Sequence, residues 1–195
     1  NYTKKYLLSS IYLGRTIASG LFILLPMTPT TVVLFSVAMG ALWLATDQGV
    51  IRYGLDDQRL TRFGEGEGLP DQRVLSLASF QRRIVAGTMR GLAEVTPDGV
   101  VTRLVERFIE PAYALATRGD TLWVGTPRGL LAWLPGEDGL AEPEGLRRLA
   151  GSRVPIRGLG YVADTLVAMT EEQILWRDPA TGAWAPGPWL GALGR

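Results

Sequence analysis

Hydrophobic and polar positions divide the chain near residue 46. Before that point two apolar runs dominate, YLLSSIYLGRTIASGLFILLP (Tyr6–Pro26) and TTVVLFSVAMGALWLA (Thr30–Ala45), and Arg15 is the only charged residue between positions 6 and 46. A spanning helix takes about 20 apolar residues, with about 17 as a lower limit. The first run meets that length, and the second is slightly short unless it continues past Thr46. Pro26 and Pro29 in PMTPT interrupt the pattern, since proline ends a helix or opens the next. Residues 1–41 are therefore predicted to form an apolar α-helical hairpin, with membrane association through residues 6–45. Lys4 and Lys5 ahead of the first run put the N-terminus on the cytoplasmic side. A signal peptide is the rival reading, but the apolar region is too long for one and is doubled. A buried soluble helix pair is the third alternative.

Beyond Asp47 the pattern changes to short alternating stretches bounded by Gly, Pro and Asp, and it repeats. A Thr followed three residues later by Gly recurs in LWLATDQG (Thr46, Gly49), RIVAGTMRG (Thr88, Gly91) and TLWVGTPRG (Thr126, Gly129). TLVAMTEEQ carries Thr170, with Gln173 in place of the Gly and Met169 in place of the small residue before the Thr. The steps between these threonines are 42, 38 and 44 residues. TLWVGT alternates and is rich in β-branched and aromatic residues, so it reads as a strand. Two residues make the turn, and the Gly supplies a positive φ without a Cβ clash. GLLAWL returns as the antiparallel partner, and PDG, PGEDG and PATG supply the next turns. Four strands in about 40–45 residues is the period of a β-propeller blade.

The expected fold class is thus mainly β: a partial β-propeller of about three to four four-stranded blades over residues 42–195, preceded by the apolar helical hairpin. The blade cores fall near residues 42–54, 83–99, 122–136 and 166–182. LWLAT (42–46) fits both parts, and goes to the first blade because Asp47-Gln48-Gly49 needs it as a hairpin partner. Closed propellers usually have four to eight blades, so the chain is expected to be cut short at its C-terminus.

Composition narrows the chemistry. The chain has no Cys and no His, and a net charge of +1. That removes thiolate nucleophiles, imidazole bases and nearly all zinc, haem and iron–sulfur sites. It also gives no general attraction to nucleic acid. Glu65, Glu67 and Asp71 in EGEGLPDQR offer oxygen ligands, but their spacing matches no calcium loop, and a solvated loop is the expectation. Trp43, Trp123, Trp133, Trp176, Trp184 and Trp189 are expected to pack in strand cores, with Trp184 and Trp189 the least regular and the most open to a binding role. Arg82-Arg83 and Arg147-Arg148 read as solvent-facing strand ends, not as a nucleic-acid patch. No catalytic, cofactor-binding or metal residues are assigned, no enzyme is expected, and the ligand is unknown.

Two resemblances cover the two parts. GEGLPDQRVLSLA (66–78), LWLATDQGVIRY (42–53) and LWVGTPRGLLAW (122–133) resemble the two-component regulator propeller repeat, over residues 42–182. That resemblance implies a non-catalytic sensor module at a bacterial inner membrane, with a periplasmic propeller, an unknown small-molecule or protein ligand and a downstream kinase. Residues 4–46, with YLL..IY..R, LP.TP.T and MG.LWL.T, look like a helix pair of a monocarboxylate-type major facilitator superfamily transporter. The match stops at DQGVIRYG, and a single hairpin cannot form an alternating-access pathway. The two resemblances overlap in LWLAT, where a chimeric join would fall. A transporter fragment and a protein-binding scaffold propeller are the alternative functions.

Overall fold

The computed structural model of the chain describes residues 32–104, 108–133, 146–148 and 154–187. Among the described residues, sixteen strands form four antiparallel sheets, each a simple meander of four consecutive strands. The first sheet holds β1 (Val32–Ala38), β2 (Ala41–Thr46), β3 (Gly49–Gly54) and β4 (Leu60–Phe63). The second holds β5 (Val74–Phe80), β6 (Arg83–Thr88), β7 (Gly91–Val95) and β8 (Val101–Arg103). The third holds β9 (Ala114–Arg118), β10 (Thr121–Thr126), β11 (Gly129–Trp133) and β12 (Leu146–Arg148). The fourth holds β13 (Gly158–Val162), β14 (Thr165–Met169), β15 (Ile174–Arg177) and β16 (Trp184–Pro186). The first strands lie side by side in the order β1, β5, β9, β13, so the sheets stand in a row as propeller blades do. Among the described residues, β13 and β1 do not pack on each other as the neighbouring pairs do.

The second apolar run is not a helix. Its residues from Val32 onward are β1 and β2, paired from Val32↔Thr46 to Ala38↔Ala41. They are joined by Met39 and Gly40, at φ 52° and 68°. Two consecutive positive φ values make the tight turn whose twist matches a hairpin. The run looked like a membrane segment because every residue of β2 is buried, and a strand buried on both faces is as continuously apolar as a buried helix. The expected helical hairpin is therefore overturned over residues 32–41, and the transporter-like helix pair over residues 32–46. The first apolar run, Tyr6–Pro26, lies outside the described residues. Among the described residues no helix is long and apolar enough to cross a membrane.

The repeated threonine organises each blade. Its hydroxyl donates to the carbonyl three residues on and accepts the N–H two residues on. Thr46 Oγ1 donates to Gly49 O at 2.7 Å and accepts from Gln48 N at 3.1 Å. The pairs are 2.9 and 3.2 Å at Thr88, and 2.8 and 3.1 Å at Thr126. These three threonines are fully buried, so each hydroxyl satisfies turn groups that a hydrophobic side chain would strand. The glycine that follows has φ 121° at Gly49 and 133° at Gly91. A Cβ there would stand 2.1 Å from Phe63 O or 2.6 Å from Phe108 O, so both the conformation and the close approach require glycine. The fourth blade keeps the hydroxyl clasp, with Thr170 Oγ1 donating to Gln173 O at 3.0 Å. Gln173 is not in the left-handed region, which is why a side chain is tolerated there.

The small residue before each threonine has an equally local cause. The chain entering the next blade crosses directly over it. A Cβ at Gly87 would lie 2.7 Å from Ala112 O, and one at Gly125 2.8 Å from Ile156 Cγ2. Ala112 N donates to Thr88 O, and Ile156 N to Thr126 O, both at 3.0 Å. Met169, the corresponding residue of the fourth blade, is half exposed.

Three seams hold the four sheets together. Trp43, Val50 and Phe63 meet Leu77, Ile84 and Val95 between the first and second. Trp43 stacks on Phe63 with ring centroids 6.3 Å apart, and its indole N–H donates to Ala38 O at 3.1 Å. Phe80, Val85 and Leu92 meet Leu122, Val124 and Trp133 between the second and third. The third seam has a smaller buried group, Ala116, Leu130, Ile156, Leu166 and Ala168, bordered by half-buried aromatics.

The clasp should be measurable by difference. Thr88→Val, which strands turn groups in a buried site, is expected to lower unfolding free energy by about 1–3 kcal/mol. Thr170→Val, at the half-buried copy, should cost less. Urea titrations of both variants check this, and equal losses would show that burial of the hydroxyl does not set its contribution.

Candidate functional site

The third seam differs from the other two in chemistry. A cleft of about 340 Å³ opens along it, lined by Arg118, Trp123, Tyr161, Asp164, Leu166, Arg177 and Pro179. Arg118 closes β9 just before the Gly119-Asp120 turn, and Asp164 sits in the corresponding Ala163-Asp164 turn of the fourth sheet. Gly119 and Ala163 open these turns at φ 53° and 51°. Two equivalent hairpin tips thus stand side by side at one end of the seam. Trp123 on β10 and Tyr161 on β13 are half-buried and border the same core. Arg177 is the last residue of β15, and Pro179 follows in the next turn.

Two guanidinium groups cap two rings across this seam. Arg118 lies 5.1 Å from the Tyr161 ring centroid and also pairs with Asp164. Arg177 lies 5.2 Å from the Trp123 ring centroid. Attraction of a cation to an aromatic face holds such pairs together. At the other end of the seam Arg157 stands 4.4 Å from the Tyr113 centroid, and its Nε donates to Glu171 Oε1 at 3.0 Å. The Glu171 hydrogen bond, followed by Tyr113, raises the Arg157 pKa further.

Arg177 is followed by Asp178, and after the Thr181 and Ala180 N–H groups its charge helps to hold that carboxyl below its ordinary range. The Asp178 carboxylate accepts from Ala180 N at 2.7 Å and Thr181 N at 2.9 Å. The Arg177 Nε and the Trp123 indole nitrogen are buried, and neither has a hydrogen-bond partner among the described residues. A second cleft, of about 410 Å³, lies between Phe108, Ile109, Glu110, Pro111, Pro127 and Arg128. There Arg128 Nη1 already donates to Glu110 Oε1 at 3.0 Å.

The residues singled out in the sequence are placed as follows. Glu65, Glu67 and Asp71 do not converge. Glu65 Oε1 accepts from Gln72 N at 3.1 Å, Glu67 Oε2 from Gly64 N at 2.7 Å, and Asp71 Oδ1 from Arg73 N at 2.8 Å. These carboxylates shape the loop around the short 3-10 turn Glu65–Glu67. Among the described residues no group of three or more acidic side chains could hold a metal ion. Trp43 and Trp133 are fully buried, whereas Trp123, Trp176 and Trp184 are half-buried. Trp189 lies outside the described residues. Arg82 is an exposed turn residue at φ 61°, and Arg83 Nη1 donates to Glu94 Oε2 at 3.0 Å. Arg147 and Arg148 lie on β12.

Of the cleft, sequence reasoning picked out Trp123 alone, and as a packing residue. Arg118, Tyr161, Asp164 and Arg177 went unmarked. Arg118 and Asp164 do flank equivalent turns of successive repeats, in ATRGD and YVAD, which is the one signal that aligns them. Arg177 and Trp123 belong to different blades and carry no such cue.

No family model matches the chain, and no curated protein matches it. Solved structures do match. The extracellular domain of BT4673 from B. thetaiotaomicron, described as a one-component and also as a hybrid two-component system, superimposes with a TM-score of 0.68. Identity is 22%, over 83% of this chain and 23% of that one. The extracellular domain of BT3049, a hybrid two-component system of the same organism, gives 0.60 at 17% identity, over 85% and 24% of the two chains. The WD40 repeats of RRP9 give 0.60 at 12% identity, over 82% and 51%. At these identities the likeness is one of fold. The chain has a β-propeller-like fold, and it spans under a quarter of the length of the two B. thetaiotaomicron domains.

One electrostatic consequence of the turn beside the cleft is testable. Asp178 is held below its ordinary pKa of 3.8, first by the Thr181 N–H, then by the Ala180 N–H. A carboxyl depressed in the folded state stabilises the fold above its unfolded-state pKa. That contribution is lost as pH falls through the folded value. Carboxyl NMR titration should therefore place the Asp178 midpoint below 3.8. The fall in thermal stability on acidification through that region should be shallower in Asp178→Asn. An Asp178 midpoint at or above the ordinary value would refute the assignment.

Proposed function

We propose that the chain is a non-catalytic binding module, a propeller arc within a longer sensor protein, displayed outside the cytoplasm. The observation that carries this reading is the fold shared along most of its length with the extracellular domains of BT4673 and BT3049. Propellers present ligands with seams and loop faces on a rigid scaffold, and the Arg–aromatic seam between the third and fourth sheets is such a surface. The absence of His and Cys from the sequence removes the commonest acid–base and nucleophilic groups. A kinase or other output domain belongs to this proposal only through those two-component relatives in fold.

Membrane attachment is part of the same proposal, and the sequence supports it. Once residues 32–46 belong to the first sheet, the run Tyr6–Pro26 is the remaining segment long enough for one span. Lys4 and Lys5 before it orient a single span with the blades on the outer side. A hairpin would have returned them to the cytoplasm.

Reporter fusions test the location. With a start codon added ahead of residue 1, alkaline phosphatase or β-galactosidase is fused after Arg195 and expressed in bacteria. High phosphatase and low β-galactosidase activity in the membrane fraction are expected. The reverse pattern, or a soluble cytoplasmic product, would remove the extracytoplasmic sensor reading.

A further inference from the structure

We infer that the seam between the third and fourth sheets is where the arc opens: the fourth sheet swings away as one unit while the first three stay closed. This is a property of the fold and does not depend on what the chain binds.

What fills each seam sets how firmly it closes. At the first two seams the rings sit inside aliphatic packing, with Trp43 beside Ile84 and Val95, and Trp133 beside Val85 and Leu122, all fully buried. At the third the buried group is smaller, and Trp123, Leu159, Tyr161, Leu175 and Trp184 around it are half-buried. Guanidiniums close its surface: Arg118 over Tyr161, Arg177 over Trp123 and Arg157 over Tyr113. Arg118 adds an ion pair to Asp164, whose side chain is 87% exposed. Cation–ring and ion pairs in contact with water each contribute little, because water solvates the charges when the pair parts.

Closure also strands donors. Arg177 Nε and the indole nitrogens of Trp123 and Trp184 are buried at this seam with no acceptor among the described residues. A buried donor without an acceptor carries a desolvation cost that exposure removes. The first and second seams each hold one such group, Arg52 Nε and Trp133 Nε1. Opening the third seam hydrates three donors at once.

Position decides which sheet can leave. Detaching the second or third sheet breaks two seams, whereas detaching the first or fourth breaks one. In the first sheet, β2 is buried at every position. Its counterpart β14 buries only Leu166 and Ala168, and Val162 and Met169 of the fourth sheet are half exposed. Ile156 marks the pivot. It is fully buried, its N–H donates to Thr126 O at 3.0 Å, and its side chain lies against Gly125. The chain is pinned there just before β13 begins.

Hydrogen–deuterium exchange of the native 195-residue chain, in a mild detergent that covers the Tyr6–Pro26 run, reads such an opening. After correction for intrinsic rates, β14 amides are expected to exchange at least tenfold faster than those of β2, β6 and β10. β2 controls for position, because it belongs to the other terminal sheet. Arg118→Gln removes the cation over Tyr161 and the ion pair to Asp164. It should raise β14 exchange at least threefold and leave β2 and β6 unchanged. Tyr161→Leu removes the ring and keeps an apolar side chain. It should act in the same direction, and it serves as the second variant if circular dichroism shows that Arg118→Gln does not fold. Arg82→Gln, at an exposed turn away from this seam, should change nothing. The proposal is overturned by β14 as well protected as β6, or by β2 exchanging as fast as β14. It is equally overturned by a folded Arg118→Gln that speeds every sheet alike or none, or that acts no more strongly than Arg82→Gln.

Discussion

Close approach of backbone between neighbouring blades is the constraint on which this structure depends. The chain entering the third blade lies against Gly87, and the chain entering the fourth lies against Gly125. Hydrogen bonds from Ala112 to Thr88 and from Ile156 to Thr126 lock that approach. The same threonines clasp their own turns through the side-chain hydroxyl. One residue therefore ties a hairpin together and receives the next blade. Its flanking small residue and its glycine follow from the lack of room, which is why the three travel together along the sequence.

The seams are not equal. The first two are filled by aliphatic and fully buried aromatic side chains, and they hold the blades by exclusion of water. The third is capped by guanidiniums stacked on half-buried rings, and its strands are less buried throughout. An Arg over a ring is held by a weaker, more solvent-dependent attraction than close packing. The cleft of about 340 Å³ opens along this seam. The fourth blade relaxes the repeat at the same place: Met169 and Gln173 stand where the earlier blades have a small residue and a glycine.

The first blade shows how hydropathy alone misleads. TTVVLFSVAMGALWLA is apolar enough for a membrane helix, yet Val32–Ala38 and Ala41–Thr46 pair as strands around Met39-Gly40. Burial on both faces produces a continuous apolar run whichever backbone adopts it. The β-branched residues at its start and the Met-Gly turn were the local cues for strands. The run's length, close to that of a spanning helix, points the other way.

The four-stranded repeat and its glycine turns were legible in the sequence, because strand alternation and a glycine at positive φ are local, whereas the hydroxyl clasp of the threonine was not read from it. The cleft was not legible. Arg177 meets Trp123 across 54 positions, and Arg118 meets Asp164 across 46. Arg177 and Trp123 have no spacing that a repeat or a motif would mark, and Arg118 and Asp164 share only equivalent turns of successive repeats. Only the packing of one blade on the next brings those charges and rings together. The tertiary structure likewise decides which carboxylates are occupied, since Asp178 and Asp164 look alike in sequence but one serves its own turn and the other reaches across a seam. Local chemistry specified the blade, and the contact between blades brought the residues of the cleft together.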